Sequence, residues 1–349
     1  MKAFELQTVR PRTLVLGSSR VEIGIDAADP LWPASMRPVY NLAISAGGPY
    51  IARRYLQNAL SLEKVDLVIV GLDFEFFLGD PPSPQEKPEF ARLRVSADGT
   101  PNLLWRRERI KDLLLATLSL DTLTDTVATV RANRAPYSSD MVSGDWRRIY
   151  FLHPEDFGGF YPRWMLEDVN KIPEFIGLTR NNSAMEDVKA IIELCLSHRT
   201  RVIFFINPYH ADLLETFSIT GHWLAFEQWK RDLLRLTESY SDNGNPASIP
   251  LWDFSDYDLY STESVEAGQQ RLKWYVSPSH YSPSLGGKLI TSLLNPSERP
   301  FGMVLVKGNI DRHLAEIRRH QENYRATHVA DAARIPIIFR NEMASARQN

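Results

Sequence analysis

Ser19 and His280 carry the chemistry most worth weighing in this sequence. Ser19 lies in Gly17-Ser18-Ser19-Arg20, directly after a short apolar run. A serine hydroxyl is a weak nucleophile until a base removes its proton. His280 lies in Val276-Ser277-Pro278-Ser279-His280-Tyr281-Ser282-Pro283. An imidazole can take such a proton at neutral pH and return it to a leaving group. The pair would make an acyl-transfer centre. Gly47 and Gly48 add backbone N–H groups that an oxyanion can approach closely, though two glycines also suit a tight turn. Asp73, in Gly71-Leu72-Asp73-Phe74, follows another apolar run and either faces the same crevice or caps a turn. Arg20, Asn207, His210 and Ser277 are candidate pocket residues. His313 and His320 read as surface residues of a terminal helix, and His198 as the end of another.

These residues need strands and helices to hold them. Thr13 to Gly17, Val39 to Ile44, Asp66 to Leu72, Arg201 to Asn207 and Ile249 to Asp253 read as five short buried strands. A helix is expected from about Tyr50, with Pro49 in its first turn. Ser183 and Glu186 make a capping box ahead of Val188, Ile191, Ile192 and Cys195. Trp223, Phe226, Trp229, Leu233 and Leu236 mark an amphipathic helix. Ser282 and Pro283 suit the start of a closing helix. Strands alternating with helices imply an α/β fold: a three-layer α/β/α sandwich around a mostly parallel, flavodoxin-like sheet. In such folds ligands bind beyond the carboxyl ends of the strands, where Ser19, Gly47, Asp73 and Asn207 all fall.

The reading is of one domain over residues 1–349 with two additions. Residues from about 79 to 180 are expected to form an insertion lying over the sheet, a candidate lid: it is Pro-rich at first, helical from about Arg106 to Arg134, then aromatic and Gly-rich from Phe157 to Trp164. Residues 300–349 are expected to be a helical appendage. Ile310, Leu314, Ile317 and Tyr324 share one face, and the end frays from about Glu342.

Composition narrows the function classes. The 349 residues carry 40 basic and 43 acidic side chains, a net charge of -3, which argues against a nucleic-acid partner. Cys195 is the single cysteine, so no internal disulfide or cysteine metal site can form. There is no His-Glu-x-x-His, no calcium loop and no Gly-rich phosphate loop, so no metal or cofactor is expected. No segment reaches the ~20 apolar residues of a membrane helix. Met1 to Arg12 lacks the apolar core of a signal peptide, which predicts a soluble chain without an export signal.

Taken in order, Gly17-Ser18-Ser19, Gly47-Gly48, Gly71-Leu72-Asp73-Phe74 and Ser277-Pro278-Ser279-His280 resemble the four blocks of the SGNH or GDSL hydrolase superfamily. The resemblance covers about Thr13 to Leu294. It is strongest to bacterial members with a Gly-Ser-Ser-Arg first block and a Ser-His-Tyr last block. It implies a serine-dependent acyl esterase or acyltransferase: Ser19 the nucleophile, His280 the base, and the N–H groups of Ser19 and Gly47 or Gly48 the oxyanion hole. It further implies a small-molecule or carbohydrate ester substrate, such as O-acylated cell-envelope material. Such relatives often carry an amino-terminal membrane anchor. The resemblance therefore implies a periplasmic or anchored protein if a segment precedes Met1, and a cytoplasmic one otherwise.

Two blocks depart from the family. Asp73 stands where the family has an oxyanion-binding Asn, and an ionised carboxylate there would repel an oxyanion. Ser277 stands where the family has the Asp that orients its His; a backbone carbonyl, Asp253 or Asp256 could take that place. These departures keep a second expectation open, a catalytically degenerate member that binds glycan or partner proteins.

Overall fold

The computed structural model describes residues 2–79, 88–118, 183–241, 249–265, 272–298 and 301–346. Six strands form one sheet: β1 (Thr13–Leu16), β2 (Val39–Asn41), β3 (Leu67–Leu72), β4 (Arg201–Ile206), β5 (Leu251–Asp253) and β8 (Met303–Leu305). Their order is β2-β1-β3-β4-β5-β8. The first five run parallel and β8 is antiparallel to β5. A separate two-stranded hairpin joins β6 (Tyr275–Ser277) and β7 (His280–Tyr281).

Strand side chains alternate between two apolar layers, as the period-2 geometry of a strand requires. Leu14, Leu16, Val68, Val70, Val202, Phe204 and Leu251 face one core. Val15, Leu67, Ile69, Ile203, Phe205 and Trp252 face the other. The first layer is covered by α1 (Lys2–Val9), α3 (Pro49–Leu62), α5 (Ser183–Ser197), α6 (Ala211–Ile219), α7 (Trp223–Ser239) and α9 (Ile310–Thr327). The second is covered by α2 (Ser19–Gly24), α8 (Pro283–Leu294) and the hairpin. This is a three-layer α/β/α sandwich with a mostly parallel, flavodoxin-like sheet.

The strands are shorter than their apolar runs suggest. β2 ends at Asn41, whose side chain donates to the Val21 and Ile25 carbonyls. The terminal region is more than a helical appendage. It begins with β8, which completes the sheet, and continues through α9 into α10 (Val329–Ala346), so the helix runs past Glu342. Ile310, Leu314, Ile317 and Tyr324 are all buried, as their spacing predicts. Of the expected insertion, residues 88–118 are described. Phe90 and Leu93 are buried, and the Arg94 N–H donates to Asn58 on α3. Helix α4 (Trp105–Leu118) follows; the remainder of the expected helix to Arg134 and the Phe157–Trp164 segment lie outside the described residues.

Candidate active site

Strands β2 and β3 lie on opposite sides of β1, so the connections leaving β1 and β3 part at their carboxyl ends and open a crevice there. Gly17 makes the sharp exit from β1. Its φ is +154°, and a Cβ there would sit 2.4 Å from Val21 Cγ2. Ser18 then caps α2, its hydroxyl accepting from the Arg20 N–H at 3.3 Å. Ser18 is thus spent on the backbone and buried, whereas Ser19, the first helical residue, is only half-buried.

Ser19 Oγ lies 2.8 Å from His280 Nε2. His280 belongs to the hairpin rather than to an irregular loop, and the hairpin is held from several sides. Glu263 accepts the Lys273 and Trp274 N–H groups at 2.7 and 2.8 Å. The His210 N–H donates to the Pro278 carbonyl at 3.1 Å, and Arg20 Nε donates to the Ser279 carbonyl at 2.6 Å. On the underside, a Cβ on Gly24 would sit 1.9 Å from the Tyr281 ring, so α2 meets the hairpin at backbone distance.

The far ring nitrogen, His280 Nδ1, lies 2.9 Å from both Ser277 Oγ and Ser279 Oγ. With Nδ1 protonated and donating to a seryl oxygen, Nε2 keeps the lone pair that a base needs. Neither Asp253 nor Asp256 takes the carboxylate's place. Asp253 binds Lys230 at 2.7 Å and His313 at 3.0 Å, and Asp256 binds His320 at 3.0 Å. This also corrects the surface reading of His313, which is buried against Asp253; His198 is exposed, as expected.

Beneath the pair lies a buried polar cluster. Arg20 Nη1 is 3.0 Å from Asp73 Oδ1, and Arg20 Nη2 binds Glu75 Oε1. The guanidinium lies over the Tyr209 ring, 5.2 Å from its centroid. Asn207 Nδ2 donates to the same Asp73 oxygen at 2.7 Å. Tyr209 OH accepts from the Phe74 N–H at 2.9 Å and donates weakly to Glu75 Oε2 at 3.4 Å. Asp73 therefore points its charge at a guanidinium and an amide rather than at open crevice. Burial pushes the Glu75 carboxyl above the usual range, with Arg20 opposing the rise. Burial also raises the Tyr209 phenol.

Of the two glycines, Gly47 spends its N–H on the Ile44 carbonyl at 2.8 Å, a tight-turn bond that removes it as an oxyanion donor. Gly48 is the N-cap residue of α3, and its N–H has no partner among the described residues; neither has that of Ser19. Gly17, Gly47, Gly48, Gly71 and Asp73 line a slot of about 10 Å³, room for one water-sized group. His210 faces structure instead of crevice. It is buried, with Nδ1 accepting from the Asp212 N–H at 3.2 Å and Nε2 donating to the Glu263 carbonyl at 2.8 Å. A larger open groove of about 390 Å³, lined by Ser61, Lys64 and His198 among others, lies at the amino ends of β3 and β4, the opposite edge of the sheet.

The hairpin, Glu75 and Tyr209 are the site components that the sequence reading missed. Glu75 and Tyr209 each lie two residues beyond a strand-end residue that was singled out, Asp73 and Asn207, and that spacing is the signal that could have found them. Among the described residues no group of three or more His, Cys, Asp or Glu side chains is placed to hold a metal ion. No family model matches this chain, and no curated protein matches it.

Proposed function

We propose that this chain is a serine-dependent acyl esterase or acyltransferase of the SGNH type, acting on O-acylated carbohydrate of the cell envelope. The observation that carries the reading is the 2.8 Å contact between Ser19 Oγ and His280 Nε2 at the carboxyl edge of a flavodoxin-like sheet. Such a distance is within reach for direct proton transfer. In this reading Ser19 Oγ bonds to the ester carbonyl carbon as Nε2 takes its proton. The N–H groups of Ser19 and Gly48 stabilise the oxyanion. Collapse breaks the bond to the alcohol oxygen, which leaves with the proton from His280. Water, or an acceptor hydroxyl, then attacks the acyl-serine by the same steps in reverse.

Arg20 acts as a positioning residue. It follows the nucleophile directly and holds the carbonyl next to His280, so one guanidinium fixes both sides of the pair. Its charge also answers Asp73, the residue that would otherwise oppose an oxyanion.

A second reading is a degenerate relative that binds glycan or partner proteins through the same crevice. It is favoured by the seryl hydroxyls, rather than a carboxylate, on His280 Nδ1. Turnover of a chromogenic acetyl ester separates the two. The esterase reading expects turnover that Ser19→Ala abolishes and that His280→Ala lowers by about 10²–10⁴-fold. Turnover unchanged in Ser19→Ala would overturn the esterase reading, and no turnover in the wild type together with glycan binding that survives Ser19→Ala supports the second reading instead.

A further inference from the structure

The first ten residues of helix α4, Trp105 to Leu114, are built inside out. A helix on the surface of a globular protein turns its apolar stripe inward and its charges to water. From Trp105 to Leu114 the inward groups are polar or aromatic. Asp112 is gripped by Arg92 through two bonds of 2.6 and 2.8 Å, and Trp105 lies under the Arg94 guanidinium at 4.4 Å. The outward groups are Ile110, Leu113 and Leu114, and the turn before the helix adds Leu103 and Leu104. Leu103 is 88% exposed and Ile110 is 60% exposed. Five large apolar side chains so close together make a patch on the scale of the largest that monomeric proteins expose, which are often functional.

The charges around this patch are of one sign. Arg106, Arg107, Arg109 and Lys111 are exposed, whereas the two acidic residues, Glu108 and Asp112, are half-buried. Arg106 and Arg107 interleave with the apolar side chains on the outward face, while Arg109 flanks it, reaching back to Gln7 and Phe4 on α1, and Lys111 lies beside Glu108. A protein partner with a plain apolar groove would have to bury those cations. A lipid surface accepts both kinds: leucines enter the acyl boundary while guanidinium groups on long stems reach the phosphates. The helix is too short and too charged to cross a bilayer, and no helix among the described residues is long and apolar enough to do so.

We propose that the outward face of Leu103–Leu114 docks on an anionic lipid surface. Each basic side chain close to such a surface strengthens binding by about fivefold. The proposal rests on α4 alone and is independent of any chemistry at Ser19.

The test uses a single reporter. Cys195, the chain's single cysteine, is buried, so Ile110→Cys supplies the accessible thiol for an environment-sensitive fluorophore. The expected result is ready labelling in solution and a blue shift on adding phosphatidylcholine vesicles that contain phosphatidylglycerol. Pure phosphatidylcholine should give little shift, and high salt should reverse the effect. Adding Arg106→Glu and Arg107→Glu should weaken binding by about tenfold or more. These positions are exposed, so loss of folding does not cloud the result. Slow labelling, meaning that the chain itself covers the face, would overturn the proposal. So would a concentration-dependent shift without lipid, meaning self-association, or a vesicle-induced shift indifferent to phosphatidylglycerol and to the two arginines.

Discussion

At residue 277 a hydroxyl stands against His280 where the family this chain resembles has a carboxylate. Ser277 Oγ, with Ser279 Oγ beside it, can accept the Nδ1 proton of His280 and so fix the tautomer. What a hydroxyl cannot do is stabilise the imidazolium that the proposed acyl transfer would form. Ser277→Asp would restore that charge three residues before the histidine. We expect it to raise kcat/KM for an acetyl ester by about tenfold or more and to leave Ser19 dependence intact. An unchanged or lowered value, in a variant that folds, would mean that the hydroxyls already suffice or that Nδ1 plays no part. Ser19 and Asp73 were legible as single residues because each follows a strand, and His280 because it stands just ahead of the helix start at Ser282-Pro283. The partners of Asp73 were not, since Arg20 and Asn207 reach it only once β1, β3 and β4 lie side by side. Gly47 shows the converse: its spacing suited a donor, but a turn bond to Ile44 takes its N–H.

Among the elements, the segment after β5 decides how firmly the hairpin is held. Asp258 folds this segment on itself, accepting the Tyr260 and Ser261 N–H groups at 2.8 and 2.9 Å. The Ser261 carbonyl then accepts from Ala211, whose neighbour His210 holds Pro278. Burial pushes the Asp258 carboxyl up to about 6. An acid whose folded pKa is raised binds its proton more tightly in the folded state, so folding is favoured less as pH climbs through that range. The penalty is absent below about pH 3 and fully present above about pH 7. Asp258→Asn keeps an acceptor oxygen without the charge. It should gain about 1–2 kcal/mol in urea unfolding at pH 7.5 and nothing below about pH 3. Equal stability at pH 7.5, or a gain that persists in acid, would show that the carboxylate is not strained there. The parallel strands and main helices were legible from apolar runs and caps. The hairpin and β8 were not: β6 pairs with β7 outside the main sheet and β8 joins β5 antiparallel, so neither follows the parallel alternation that made the other strands legible. His313 was misread for a related reason. It follows Ile310 by three positions on the face that α9 buries, and only the docking of α9 on β5 shows why a histidine sits there.

Across the whole molecule, a single geometric fact governs the functional reading. A sheet in the order β2-β1-β3-β4-β5 brings the first and third strand ends together. A hairpin from the last third of the chain closes over them, tied by Arg20, His210 and Glu263. The fold class could be read from alternation alone, because strand and helix periods are local. The meeting of Ser19 with His280 depends on contacts across the length of the chain, so in the sequence it was only an expectation. The most direct measurement is covalent labelling by a fluorophosphonate, followed by peptide mass analysis. The account predicts a single phosphonyl adduct on Ser19, none in Ser19→Ala, and labelling slowed by at least about 10²-fold in His280→Ala. An adduct on another residue, or labelling of Ser19 at the same rate without the imidazole, would contradict it.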